Sequence, residues 1–304
     1  MSFPRPKPSR HNKGPFRSGK AMVEIWKRSE LKKLMRAHGL HYSKPFGQNF
    51  LTDRNTLEKI TDAANLGPDD HVVEIGAGVG TLTVFLAQAA GHVTAVEIDG
   101  RLIPALQEAT EGLGNIEIVN EDFLKFERHT RHKLVGNLPY YITTPIIAGL
   151  FEPKADGRRP EPPVLSVLMV QKEVAERLLS PPGKKTYGAI SVMVQYYAEA
   201  ELLFGVSSEV FVPKPEVDSA VIRLKPRDIS SDDPAVATRM FRLVRAGFDM
   251  RRKTLRNSLA RAGFSEEALL AALRQADIDP VRRAETLSPR DFYRVASYLK
   301  VVSC

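Results

Sequence analysis

The amino-acid sequence predicts an α/β protein: a mostly parallel, doubly wound sheet followed by a small all-helical C-terminal domain. Three observations carry that expectation. Strand-like apolar runs alternate with helix-like stretches between residues 71 and 170, the rhythm of crossover connections that a parallel sheet needs. A polar linker, Arg227 through Pro234, then breaks the chain at a natural domain boundary. Beyond it the apolar positions, among them Phe241, Val244 and Leu255, read as helical.

Taken in order, residues 1–20 hold Pro4, Pro6, Pro8 and Pro15 among Arg, Lys, Ser and Gly. Such a composition cannot bury a core, so a disordered basic arm is expected, and without an apolar run it is no secretory signal. Residues 21–39 are expected to be a basic helical extension, with Ile25, Leu31, Leu34 and Met35 among basic residues and Gly39 as its stop. His71 to Ile75 is the first clear strand; it ends in glycines and leads to helix-like Thr81 to Ala87. Gly91 precedes the second strand, His92 to Ile98, and Arg101 to Ala109 reads as the next helix. Ile116 to Val119, Lys133 to Gly136 and Val164 to Val170 supply three more strands. Two later runs, near Leu202 to Val206 and Val217 to Leu224, are expected as an antiparallel hairpin at the sheet edge.

With 304 residues, 43% hydrophobic and 26% charged, the chain is an ordinary globular sequence long enough for one large domain and a smaller one. No apolar run nears the ~20 residues of a membrane helix, so no membrane partner is expected. The one cysteine, Cys304, excludes an internal disulfide and a cysteine-based zinc site, which suits a reducing, cytoplasmic setting. The net charge of +8 is unevenly spread: residues 1–45 carry +10, residues 46–238 carry −9 and residues 239–304 carry +7. An acidic middle between basic ends points to a polyanionic partner, although basic tails can also serve solubility alone.

The chemistry concentrates at strand ends. Glu74-Ile75-Gly76-Ala77-Gly78-Val79-Gly80-Thr81 follows a strand and opens a helix, where an open α/β sheet binds nucleotide-like ligands. Thr81 stands where a dinucleotide fingerprint wants glycine, which weakens a dehydrogenase reading. Glu74 beside the glycines suits a cationic ligand better than a pyrophosphate. Glu97 lies 21 residues after Gly76, the spacing of an acid that accepts from ribose hydroxyls. Asp122, at the third strand end, can accept from an adenine amino group. The decisive motif is Gly136-Asn137-Leu138-Pro139-Tyr140-Tyr141 after the fourth strand. An exocyclic amino group is a poor nucleophile until both its hydrogens are accepted and its lone pair is localised. The Asn137 side-chain carbonyl and the Leu138 backbone carbonyl can do this, Pro139 sets the turn, and Tyr140 offers a flat face to an unstacked base.

The Asn-Leu-Pro-Tyr motif resembles the S-adenosylmethionine-dependent amino-methyltransferases. From about residue 40 the chain is similar to the small-subunit ribosomal RNA adenine dimethyltransferases of the KsgA/Dim type. The resemblance rests also on Phe46 to Asp53, Ile142 to Pro145, Gln171 to Val174, Tyr187-Gly188, and Phe211 to Val221. It implies a Rossmann-like S-adenosylmethionine-dependent methyltransferase sheet over 40–228 and a helical rRNA-binding domain over 235–304. It further implies that Asn49 and Leu51 contact the methionine side of the cofactor, and Gly76, with Gly78 in the same loop, its backbone. Glu97 would take the ribose, Asp122 the adenine and Asn137 the methyl-transfer centre, while Tyr140 and Phe211 would stack the target base. Ala77 stands where the family often has proline, and Lys214 replaces another frequent proline.

The implied reaction is methyl transfer to N6 of two adjacent adenosines in 16S rRNA of an immature small subunit, by a monomer with no metal. Eight basic residues from Arg239 to Arg261 (Arg242, Arg245, Arg251, Arg252, Lys253 and Arg256 among them) are expected to contact RNA phosphates. The rivals are a large-subunit rRNA methyltransferase of the resistance type and a non-catalytic assembly or transcription factor on the same fold.

Overall fold

Near-continuous apolar runs such as Val72-Val73 and Leu134-Val135 bury both faces of their strands, which is what a parallel sheet covered by helices demands. The computed structural model describes residues 24–42, 47–127, 131–139, 142–151 and 160–299. The expected arm over 1–20, and Phe46, Tyr140, Tyr141 and Cys304, lie outside the described residues.

In chain order the strands are β1 (Phe50–Leu51), β2 (His71–Ile75), β3 (His92–Glu97), β4 (Ile116–Asn120), β5 (Lys133–Asn137), β6 (Leu165–Gln171), β7 (Ala198–Val206), β8 (Phe211–Val212) and β9 (Ser219–Pro226). The helices are α1 (Arg28–Ala37), α2 (Arg54–Ala63), α3 (Thr83–Ala89), α4 (Ile103–Ala109), α5 (Thr143–Gly149), α6 (Lys172–Leu179), α7 (Ala189–Tyr197), α8 (Pro234–Asp249), α9 (Leu255–Leu259), α10 (Glu266–Gln275) and α11 (Pro289–Tyr298).

Seven strands form one sheet in the order β4-β3-β2-β5-β6-β9-β7. The first five in that row are parallel; β9 pairs antiparallel with both β6 and β7, with a register irregularity between Leu202 and Phe204 of β7. The expected hairpin therefore forms, with β7 at the edge and β9 inserted beside β6. The chain reverses its direction of winding between β2 and β5, so the crevice outside their carboxyl ends is the ligand position of this topology.

A separate ribbon pairs β1 with β8, setting Leu51 opposite Phe211. Thr52 secures it, its amide and hydroxyl both donating to the Val210 carbonyl at 2.8 and 2.9 Å. Arg28 of α1 reaches the same ribbon, donating to the Thr52 hydroxyl and to the Glu209 carbonyl. The N-terminal extension differs from expectation in two respects. Its helix begins at Arg28 rather than near residue 21, and it is part of the core: Ile25, Leu31, Leu34 and Met35 bury against Phe50, Val79, Val84 and Leu102. Gly39 ends it at φ +61°, a conformation glycine adopts without strain.

The helical segment starts where Asp233 caps α8 and Pro234 occupies its first turn. One apolar cluster runs from Leu134 and Leu168 of the sheet through Val192 and Tyr196 of α7 to Met240, Leu273 and Phe292. The Tyr196 hydroxyl donates to Asp232 at 2.9 Å and that of Tyr187 to the Leu287 carbonyl at 2.9 Å, so the two parts are packed and bonded together.

Candidate active site

The carboxyl ends of β2, β3 and β5 open into one cavity, which the chain segment 47–51 covers from the other side. Of the residues singled out from sequence, Asn49, Leu51, Gly76, Gly78, Glu97, Asp122, Asn137, Leu138 and Pro139 all line it. Gly76 and Gly78 have φ +68° and +61°, and a Cβ on Gly78 would meet the Phe50 ring at 2.9 Å. The loop thus needs glycine twice over, for its backbone and for the close approach of the cover segment. Amides of Gly76 and Ala77 both donate to the Val96 carbonyl and hold the turn against β3.

Glu97 is fixed from both sides. The Gly78 amide donates to Oε2 at 2.7 Å and the Asp99 amide to Oε1 at 2.9 Å. Burial pushes its carboxyl above the usual range, while these backbone donors pull it back. Each oxygen keeps a lone pair for a further donor, as a diol ligand would require. Asp122 accepts from the Leu124 amide at 3.0 Å, which sets its side chain at the cavity.

The turn at Asn137-Leu138-Pro139 is equally defined. The Asn137 side-chain amide donates to the Asn49 carbonyl at 3.0 Å. That bond fixes which end of the amide is nitrogen and leaves Oδ1 as the acceptor for a substrate. The Leu138 amide is taken by the Met169 carbonyl at 2.9 Å, so the peptide plane is pinned. The Pro139 carbonyl accepts from the Thr143 hydroxyl and the Ile142 amide, which turns the chain into α5. Gly136 permits the approach of β5 to β2, since a Cβ there would meet the Ile75 carbonyl at 2.8 Å.

Glu74 is 2% exposed, lines the cavity, and its Oε2 has no hydrogen-bond partner. Burial, with the Glu97 charge adding and the Thr83 hydroxyl opposing, pushes its carboxyl up to about 8. At neutral pH it is mostly neutral, which refines the expectation of a standing carboxylate.

The fold places Phe211 and the basic cluster differently from what the sequence suggests. Phe211 is 1% exposed, packed in one cluster with Leu51, Met169 and Val221, and is not among the lining residues. Its pairing with β1 turns it into the core, so it offers no face to a target base in this structure. The basic cluster also divides. Arg239 donates to the Ala296 carbonyl, Arg242 stacks on Phe264 at 4.6 Å and donates to Ala262, Arg251 binds Lys185 and Tyr187 carbonyls and Glu285, and Arg256 pairs with Glu266. Arg245, Arg252, Lys253 and Arg261 are exposed. Cavity residues given no role from sequence include Gln48, Ile98, Phe123 and Met169. Ile98, apolar yet 45% exposed at a strand end, carries the one local signal, a hydrophobic residue directly after the ribose-type acid.

An Asn-Leu-Pro turn beside a glycine-bordered cavity at the switch point of such a sheet fits the α/β methyltransferase class. Comparison narrows it: the family model for ribosomal RNA adenine dimethylase matches residues 39–301, and the chain belongs to that family. It is 45% identical over 296 residues to the ribosomal RNA small subunit methyltransferase A of Pelotomaculum thermopropionicum, covering 90% of this chain and 97% of the relative. The protein of that name from Enterococcus faecalis is 41% identical, over 91% of this chain and 97% of its own length. Among solved structures, a dimethyladenosine transferase from Plasmodium falciparum matches with TM-score 0.71 and 28% identity, covering 81% of this chain and 95% of that one. The 23S rRNA methyltransferase ErmE matches with TM-score 0.65 and 32% identity, over 82% of this chain and 99% of its own.

Proposed function

We propose that this protein transfers methyl groups from S-adenosylmethionine to the N6 amino group of two adjacent adenosines in small-subunit (16S) rRNA, forming N6,N6-dimethyladenosine in the immature subunit. The observation that carries the reading is the Asn137–Asn49 hydrogen bond, which leaves Asn137 Oδ1 as an acceptor at a cavity wall that Leu138 also lines. The relatives named for the small subunit, at 41–45% identity over nine-tenths of the chain, support the choice of rRNA.

The residues present fit the donor. The buried Glu74 oxygen without a partner leaves room for a polar ligand group, and Glu97 and Asp122 suit the donor's ribose and adenine. Asn49 and Leu51 would hold its methionine portion, and Gly76 and Gly78 its backbone. When bound, the donor supplies an activated methyl group on a sulfonium. Asn137 and Leu138 accept the two amino hydrogens, which localises the nitrogen lone pair and aims it at the methyl. Pro139 has no backbone N–H to compete there. Tyr140 carries the stacking role by its sequence position after the turn. The exposed Arg245, Arg252, Lys253 and Arg261 supply phosphate contacts that position the RNA without reading its sequence.

Asn137→Ala tests the mechanism. It should lower the methylation rate by about 10²–10³-fold while leaving rRNA binding, read by filter retention, within about twofold. Full activity in that variant would overturn the proposal. Binding of rRNA without methylation by the unaltered chain would instead favour the non-catalytic assembly factor.

A further inference from the structure

Beside the cavity, and given no part in the chemistry above, lies a side-chain junction that joins two of the cavity walls. Gln48 belongs to the cover segment; Asp99 and Arg101 belong to the turn between β3 and α4. Gln48 Nε2 donates to Asp99 Oδ2 at 2.8 Å. Arg101 grips the same carboxylate as a fork, Nε to Oδ1 at 2.8 Å and Nη2 to Oδ2 at 2.7 Å. The Asp99 side chain is 3% exposed, while that of Arg101 is 59% exposed and Arg101 is not among the lining residues. The Asp99 amide also donates to Glu97, so the junction touches the ribose-type acid directly.

We propose that Gln48, Asp99 and Arg101 form a clasp that sets how long the cofactor stays bound, by tying the cover segment to the turn that fixes Glu97. The inference rests on the cofactor reading above and deepens it. Neither the glycine loop nor the Asn137–Asn49 bond makes this link: one holds β2 to β3, the other holds the cover to β5. The clasp alone among these ties the cover to the β3 side of the cavity. A forked guanidinium fixes the plane of a carboxylate, and that plane directs the lone pair Gln48 needs. Arg101 hydrogen bonds hold the Asp99 carboxyl below its usual range, so the clasp stays ionised through neutral pH. Cofactor exchange then requires the Gln48–Asp99 bond to open. Gln48, Asp99 and Arg101 are positioning residues here; none is asked to touch reacting atoms.

The test uses the full chain loaded with tritiated S-adenosylmethionine and chased with unlabelled S-adenosylhomocysteine, release being followed by rapid filtration. Gln48→Ala and Arg101→Met should each speed release by about five- to tenfold, the loss of one charge-assisted hydrogen bond. KM for the methyl donor should rise in step, and for Arg101→Met kcat and KM for rRNA should stay within about twofold. The double variant should release no faster than the faster single variant, because both changes open the same link. Arg101→Met is the decisive arm, since its side chain is not among the cavity-lining residues and grips Asp99 as a fork. Unchanged release from it, or additive effects in the double variant, overturns the clasp. If Arg101→Met fails to fold, Arg101→Gln, which also breaks the fork and leaves the cavity lining untouched, carries the same test. Donor that binds the unaltered chain but leaves Arg101→Met at the normal rate sinks the clasp and spares the proposed function. Failure of the unaltered chain to bind donor sinks both.

Discussion

Replacing Glu74 by glutamine should change how the stability of the ligand-free protein depends on pH. The Glu74 carboxyl is pushed up to about 8 in the folded chain, against an ordinary value near 4.5. Between those limits the folded state holds a proton that the unfolded state has released. The contribution is therefore full below about pH 4.5 and is lost as pH rises through about 8. The slope is about 1.4 kcal/mol per pH unit, or roughly 4 kcal/mol between pH 5 and pH 8. Glutamine keeps the shape without the proton and removes this dependence. Glu97, also raised by burial, titrates in both proteins, so its own contribution largely cancels and the difference reports Glu74 together with its coupling to Glu97. Urea unfolding at pH 5, 6, 7 and 8 at fixed salt measures it. The unaltered chain should lose stability relative to Glu74→Gln at each step upward. Parallel curves across that range would refute the assignment of a neutral, buried Glu74.

Three further outcomes are expected. Phe211→Ala should cost about 3–5 kcal/mol of stability, as for a buried aromatic, measured by denaturant unfolding; a large loss of kcat with stability intact would return Phe211 to the target base. Arg252→Ala and Lys253→Ala should each weaken rRNA binding and lower the salt slope of log K by about 1, read by filter binding across a salt series. Arg242→Ala should leave that slope nearly unchanged and lower the melting temperature instead, because Arg242 is spent on Phe264 and the Ala262 carbonyl.

The parallel sheet was legible because β2, β3, β5 and β6 are buried on both faces and read as near-continuous apolar runs. The site was legible where local spacing sets geometry. Gly76 and Gly78 announce a tight turn, Glu97 follows at a fixed distance along the next strand, and Asn137-Leu138-Pro139 is contiguous. What escaped depends on contacts between distant segments. Phe211 is buried because β8 pairs with β1 some 160 residues earlier, a register that no periodicity encodes. Gln48 and Asp99 meet across 51 residues of sequence. The protonation of Glu74 is a property of its burial, which only the packed sheet establishes. Likewise the basic run from Arg239 to Arg261 looks uniform as letters. In the fold, half of it is consumed by carbonyls, a ring and two carboxylates.

Mass mapping of methylated adenosines tests the central reading most directly. The purified full chain would be incubated with S-adenosylmethionine and either immature small subunits or large-subunit rRNA. Two methyl groups on N6 of each of two neighbouring adenosines, in the small-subunit rRNA alone, is the expected result. Methylation confined to large-subunit rRNA, or rRNA bound and left unmodified, would contradict it.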